Sequence, residues 1–280
     1  MKPSRLLLLA FLLFPHLLFA WDYSSTDATT QHSAQLRVGA DFTKKFNYGL
    51  ALHLSEDLRF DMFAWDLENA TLTEPDFNKS YTSLSLSYKP VRHLKMDAGY
   101  TLKIMGNKDW TDVNKWMRHR VFMSVTGSYK YEQWSFSLRE RVFTEIRMGD
   151  IDLHTATGYY EHNRADWYLR SKVEVAYHVM SKPLKPYAWV EVVNTLNVNP
   201  LQQKYKDNDP TNTGHQYIRR VRTAIGTTWR LDSRNSLDFY YRFNYGYDRD
   251  ITVKKKAQTI LLTEEISYQH AIGICYNFGW

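Results

Sequence analysis

The sequence has a single cysteine, a single long apolar run and little excess charge, and each of these shortages limits what the protein can be. Cys275 is the only cysteine in 280 residues, so no disulfide can form within the chain. After residue 20 no apolar run is long enough for a helix to cross a bilayer, which excludes a helical membrane protein. The formal net charge of +6 is a weak excess and gives no indication of a nucleic-acid partner.

The one long apolar run lies at the N-terminus and predicts a secretory signal peptide over residues 1–20. Lys2 and Arg5 precede an apolar stretch that is too short for a relaxed bilayer crossing, and Ala20 is a small residue suited to cleavage. A retained helical anchor is the alternative. Cleavage would lower the formal net charge from +6 to +4 and leave residues 21–280 as the mature chain.

Residues 266–280 alternate strictly between two kinds of side chain. A strand with one apolar, aromatic face and one small, polar face suits a wall between lipid and water. Its terminal aromatic resembles the signal that delivers bacterial outer-membrane barrels to their insertion machinery, so we expect that machinery as a partner. The apolar face consists of Ile266, Tyr268, His270, Ile272, Ile274, Tyr276, Phe278 and Trp280, and the small face of Ser267, Gln269, Ala271, Gly273, Cys275, Asn277 and Gly279.

The same period of two recurs along the whole chain after the apolar N-terminus. Alternation over this many residues is typical of strands and not of helices. The predicted strands lie around residues 33–42, 50–62, 83–88, 94–104, 117–129, 133–147, 166–178, 186–196, 216–230, 236–247 and 266–280.

The connections between the predicted strands alternate between short and long. Links such as residues 43–47 and 89–93 are short, whereas residues 148–165 and 197–215 form long polar stretches. Outer-membrane barrels have short periplasmic turns and long extracellular loops. The sequence therefore predicts an all-β fold, an antiparallel up-and-down transmembrane β-barrel in the bacterial outer membrane.

The eleven predicted strands conflict with one rule of such barrels. Bacterial single-chain barrels have an even number of strands. We therefore expect about twelve, with the additional strand in residues 21–31. A ten-stranded barrel with an irregular N-terminal segment is the alternative.

The sequence contains several short motifs, which are Glu56-x-x-Arg59, Tyr88–Pro90 before a strand that ends in Gly99–Tyr100, Arg118-x-Arg120, Arg139-x-Arg141, Arg220-x-Arg222, Pro186–Tyr187 followed by Glu191, and Gly273 to Phe278. Together these motifs resemble a family of bacterial outer-membrane barrel proteins of unknown function. The resemblance covers essentially all of the mature chain and implies fold and location only, with no activity to transfer. The chain departs from the family in the Gly279–Trp280 extension.

Inward parity brings a set of charged side chains, mostly arginines, into the predicted lumen. One interpretation is a positive collar that attracts small anionic solutes into a narrow pore. The other is that acidic and basic side chains pair across strands and fill the lumen of a structural barrel. Both interpretations use the same candidate residues, which are Arg59, Arg118, Arg120, Arg139, Arg141, Arg170, Glu191, Arg220, Arg222 and Arg242.

Three charged residues have outward parity and would face lipid. Glu56, Glu140 and Arg219 therefore lie at the outer rim or mark bulges that reverse parity. Arg219, with the lysine run at residues 254–256, is also a candidate for contact with lipopolysaccharide phosphates. Outer-membrane lipid and lipopolysaccharide are thus expected partners, and nucleic acid is not.

Two further classes of function are weaker alternatives. A barrel enzyme acting on lipid or lipopolysaccharide would need a serine activated by a histidine, and His53, Ser55 and Asp57 share one inward face. Residues two apart on a strand stand about 6–7 Å apart, too far for direct activation. A secreted, soluble, lipocalin-like barrel is the third alternative. No catalytic residue and no cofactor are predicted. No metal site is predicted either, because the acidic stretches near residues 150–162 and 207–214 are typical of solvated loops.

Overall fold

The computed structural model describes residues 28–66, 76–106, 117–147, 165–180, 182–197, 218–254 and 259–280. The predicted signal peptide and the acidic stretches near residues 150–162 and 207–214 lie outside these ranges. Among the residues described, there is no helix with the length and apolarity required to cross a membrane.

Within the described ranges the chain consists of strands and short turns, with one 3-10 turn at Asn47–Gly49. The strands are β1 Ala28–Lys45, β2 Leu50–Asp66, β3 Asp76–Val91, β4 Leu94–Met105, β5 Met117–Tyr131, β6 Trp134–Arg147, β7 Ala165–Tyr177, β8 Leu184–Thr195, β9 Ile218–Arg230, β10 Asn235–Lys254 and β11 Thr259–Gly279.

These eleven strands form a closed barrel, so the predicted all-β up-and-down barrel is confirmed. Each strand is antiparallel to the next, and β1 closes the barrel by pairing with β11 in parallel. The parallel pair follows from the odd number, because directions that alternate along an odd set leave its first and last strands pointing the same way. Of the segment expected to form an additional strand, residues 28–31 continue β1 and residues 21–27 lie outside the described ranges.

Side chains divide between the two faces of the wall as the alternation predicts. On β11, Ile272 is 66% exposed on the outside, whereas its neighbour Ala271 is 1% exposed on the inside. On β3, Leu84 and Leu86 are exposed and Ser87 is buried. Apolar side chains thus cover the outside and many polar ones are buried inside, the reverse of a soluble β-protein.

The outward charges have two different explanations. The β8–β9 register shifts between Val193 and Asn194, beside Arg219, and the Arg219 guanidinium donates a hydrogen bond to the hydroxyl of Tyr168. A bulge therefore redirects this arginine, which was one of the two explanations considered for it.

The two outward glutamates keep the parity that the sequence indicates. Glu56 accepts a 2.5 Å hydrogen bond from the hydroxyl of Thr82, and Glu140 accepts one of 2.6 Å from Ser171. Each hydroxyl lies directly opposite its carboxylate on the neighbouring strand. A local hydrogen-bond donor therefore compensates part of the cost of a charge on this face.

Candidate functional site: an arginine belt in the lumen

The inner wall of the barrel carries a belt of charged side chains from nine of its strands. The charged inner-face candidates from the sequence all lie on inward positions of the strands. Arg118 and Arg220 lie closer to the end with the long connections, and the others belong to the belt. The belt comprises Arg37, Asp57, Arg59, Lys103, Arg120, Arg139, Arg141, Glu145, Arg170, Glu191, Arg222 and Arg242.

The centre of the first cluster is Glu191 on β8, which is 4% exposed. Its carboxylate lies 2.8 Å from Nη1 of Arg222 on β9, 3.2 Å from Nη2 of Arg139 on β6 and 3.4 Å from Nε of Arg170 on β7. One buried carboxylate thus serves three guanidinium groups from three strands. The cluster retains an excess of positive charge.

Two smaller clusters each combine one carboxylate with two cations. Asp57 on β2 accepts hydrogen bonds from Arg37 on β1 and, at 2.8 Å, from Nη2 of Arg59. Glu145 on β6 accepts hydrogen bonds of 2.9 Å from Lys103 on β4 and 2.6 Å from Arg120 on β5. The side chains of Arg59, Lys103 and Arg120 are largely shielded from water.

Aromatic rings connect the three clusters around the inner wall. The ring of Tyr81 has the guanidinium of Arg59 at 4.1 Å and that of Arg120 at 5.4 Å from its centroid. The ring of Phe143 has Arg120 at 4.5 Å and Arg170 at 4.9 Å. Such cation–π contacts favour a desolvated guanidinium. A continuous series of contacts therefore runs from β1 to β9.

Two arginines of the belt pair with no carboxylate among the described residues. Arg141 places its guanidinium 4.2 Å from the ring centroid of Phe122. Arg242 on β10 is 6% exposed, and its Nε has no hydrogen-bond partner. Arg37, Arg59 and Arg222 all repel its charge. Arginine stays protonated in proteins, so the excess charge of the belt does not disappear by titration.

The structure adds residues that the candidate list omitted, namely Arg37, Lys103 and Tyr81. Each has inward parity on its strand, so the rule that selected the other arginines would have included them. Asp57 and Glu145, the carboxylates of the two smaller clusters, have inward parity as well. Parity gives the face of a residue, whereas its partners depend on the register between strands.

His53 does not combine with Ser55 and Asp57 into a catalytic arrangement. Its Nδ1 lies 2.8 Å from the hydroxyl of Thr43 on β1, and its Nε2 lies 2.9 Å from the hydroxyl of Ser87 on β3. Asp57 instead binds arginines of the belt. The three residues therefore belong to separate polar contacts of the inner wall, and none orients another for nucleophilic chemistry.

A closed barrel with an apolar outer face and a charged, polar interior has the architecture of a transmembrane β-barrel. The chain belongs to the family described as protein of unknown function (DUF2490), whose match covers residues 35–254. The resemblance to a barrel family of unknown function is thereby confirmed. No curated protein matches the sequence.

Three solved structures of outer-membrane or porin barrels are similar to the chain. The NanC porin has a TM-score of 0.39 and 10% identity, with 75% of this chain and 86% of that chain covered. Outer-membrane expressed OmpT of Vibrio cholerae has a TM-score of 0.33 and 13% identity, with 77% and 61% covered. OmpT of Vibrio cholerae folded in vitro, in its trimer form, has a TM-score of 0.34 and 11% identity, with 85% and 95% covered.

Proposed function

We propose that this protein is an integral β-barrel of the bacterial outer membrane whose lumen is a narrow path for small anions. The observation that carries the proposal is the excess of guanidinium groups over carboxylates in the belt. Glu191 alone has three arginine partners, and neither Arg141 nor Arg242 has a carboxylate partner among the described residues.

The membrane location rests on the outer face of the barrel. Met123 is 69% exposed, and Leu84, Leu86 and Ile272 are each more than half exposed at outward positions of different strands. Water would make such a surface unfavourable, by about 25 cal/mol for each Å² of apolar area. Hydrocarbon removes that cost. A soluble, lipocalin-like barrel would instead turn its apolar side chains toward the cavity.

The anion path rests on the charge balance of the belt. A lumen closed by paired charges would need about as many carboxylates as cations, because an unpaired charge away from water is costly. The belt has too few. An entering anion supplies the missing negative charge, and rings of arginine or lysine select for anions in pores.

The proposed partners follow from the outer surface of the barrel and from its two ends. Phe278 of β11 and Trp280, which directly follows this strand, would serve as the contact for the insertion machinery. Exposed apolar strands would contact membrane lipid, and lipopolysaccharide would surround the end with the long connections.

Planar-bilayer recording of the purified protein tests the path. With a KCl gradient across the bilayer, we expect discrete conductance steps and a reversal potential displaced toward that of chloride. Arg141→Gln should reduce the preference for chloride, whereas Arg92→Gln, in the exposed β3–β4 turn, should leave it unchanged. An absence of conductance steps would show that the belt closes the lumen of a structural barrel.

A second measurement tests the membrane barrel independently of conduction. The protein folded in detergent micelles should migrate faster on gels before heating than after heating, because a closed barrel resists the detergent used for electrophoresis. A protein that stays folded and monomeric without detergent would contradict the proposal and favour the soluble barrel.

A further inference from the structure

We infer that Arg242 is the centre of a discrete binding site for a small oxyanion that also carries a hydroxyl group, such as hydrogen phosphate. The inference rests on the proposed anion path and identifies one site within it. Strands β9, β10, β11 and β1 form this part of the wall. Among the described residues, Arg242 forms no ion pair.

The residues that flank Arg242 in the sheet are small. Its direct neighbours across the sheet are Ala224 on β9 and Ala271 on β11. Tyr240, the inward residue that precedes Arg242 on β10, has Gly226 and Gly273 as its neighbours. Neither adjacent strand therefore contributes a long side chain at these two levels.

Positive charge converges on this part of the wall from three other strands. Arg37, Arg59 and Arg222 all lie close enough to Arg242 to repel its charge. Asp57 is the carboxylate within electrostatic range, but it already accepts hydrogen bonds from Arg37 and Arg59. An arginine that is 6% exposed and lacks a counter-ion indicates a place for a bound anion.

Two buried amide groups on the same part of the wall have acceptor atoms without a hydrogen-bond partner. Gln35 of β1 flanks Ala271 on the side opposite to Arg242, and Asn244 is the inward residue that follows Arg242 on β10. They are 3% and 4% exposed, and neither Gln35 Oε1 nor Asn244 Oδ1 has a hydrogen-bond partner. Their amide nitrogens already donate to Asp61 and Gln269. The remaining carbonyl oxygens can only accept.

The combination of groups defines the chemical class of the ligand. Guanidinium forks bind the paired oxygens of a phosphate or a carboxylate better than they bind a halide. The free amide oxygens require a donor, which a hydroxyl on the anion supplies and which sulfate lacks at neutral pH. Hydrogen phosphate has both features.

Thermal unfolding of the protein folded in micelles tests the site. The measured quantity is the temperature at which the fast-migrating, folded band is lost, with inorganic phosphate or sulfate added at constant ionic strength. We expect phosphate at about a hundredfold its Kd to raise this temperature saturably by about 5–10 °C. Sulfate, which stabilises proteins nonspecifically by exclusion from their surface, should give a smaller and non-saturating rise.

Two variants decide whether Arg242 is responsible. Arg242→Gln should remove the saturable rise, and Arg92→Gln should keep it. A rise of the same size in Arg242→Gln, or equal saturable rises with phosphate and sulfate in the unchanged protein, would overturn the inference.

Chemical modification of the unchanged protein avoids any effect of substitution on folding. Phosphate should protect Arg242, but not Arg92, from phenylglyoxal, as measured by mass spectrometry of peptides; equal modification with and without phosphate would refute the site. The proposed function can fail separately. Protection without conductance steps would leave an anion site in a closed barrel, whereas conductance without protection would leave an anion path that lacks this site.

Discussion

Nη1 of Arg222 donates a 2.8 Å hydrogen bond to Oε1 of Glu191, from β9 to the neighbouring strand β8. The same carboxylate also attracts Arg139 and Arg170, so it holds together guanidinium groups from three other strands. The other two carboxylates of the belt, Asp57 and Glu145, have two cationic partners each. The stability of the belt should therefore depend on Glu191 more than on any other acidic residue of the inner wall.

Glu191→Gln should lower the free energy of unfolding by about 3 kcal/mol, because it leaves buried arginines without their shared counter-ion. Urea denaturation of the protein in lipid vesicles, followed by tryptophan fluorescence, measures this change. Glu174→Gln is the matched control, since Glu174 is more exposed and forms a single 2.7 Å ion pair with Lys172. A loss for Glu191→Gln no larger than that for the control would contradict the central role of this carboxylate.

Gly273→Ala should destabilise the barrel by about 1–3 kcal/mol, the usual cost of overpacking. Tyr240, directly opposite on β10, lies with its ring over Gly273, so an added Cβ would overlap the ring. Gly127→Ala is the control, because a Cβ there meets nothing within 4 Å and should change stability by at most about 0.5 kcal/mol. Equal effects in the same urea experiment would show that Tyr240 does not rest on Gly273.

Ile272→Arg should destabilise the protein by about 2–4 kcal/mol in lipid vesicles if the outer face of β11 contacts hydrocarbon. Val91→Arg, on an exposed residue at the end of β3, should cost only about 0–1 kcal/mol because it lies near the membrane surface. Both positions are exposed, so a barrel in water would tolerate both changes. Two small and equal effects on the urea unfolding curve would argue against a lipid-facing wall.

The β9–β10 turn should make a pH-dependent contribution to stability through Asp232. The backbone N–H of Arg234, then the side-chain amide and the backbone N–H of Asn235, hydrogen-bond this carboxyl and hold its pKa below its usual value. Because the pKa is lower in the folded state, the stabilisation is complete above the unfolded-state pKa of about 3.9 and is lost as the pH falls through the folded-state value.

Asp232→Ala measures this contribution. The difference in unfolding free energy between the unchanged protein and the variant should be larger at about pH 7 than at about pH 2. The reason is that these hydrogen bonds stabilise the folded state most while the carboxyl is ionised. Other acidic groups cancel in this difference because both proteins contain them. A difference that is independent of pH would show that the turn does not use the ionised carboxyl.

Much of the architecture could be predicted because the side chains of a strand alternate with a period of two. The apolar outward face of β11 and the inward positions of Arg139, Arg141 and Glu191 follow from that period alone. The parity rule fails where a bulge interrupts it, as at Arg219, because the extra residue that shifts the register leaves no mark in the alternation.

The number of strands could not be decided from the even-number rule. The rule required another strand near the N-terminus, whereas the described barrel closes with β1 beside β11, from Ala28 opposite Glu264 onward. A parallel closing pair has no local sequence signal, because it joins strands from opposite ends of the chain.

The sequence by itself determined the wall of this protein: its strands, its outward apolar face, its inward charges and its terminal aromatic strand. Only the tertiary structure decided which charges meet. Glu191 finds partners from three other strands, and Arg242 stands among cations between Ala224 and Ala271. The reason is physical. Alternation is a local property of each strand, whereas ion pairs across a lumen depend on the register and closure of the whole barrel.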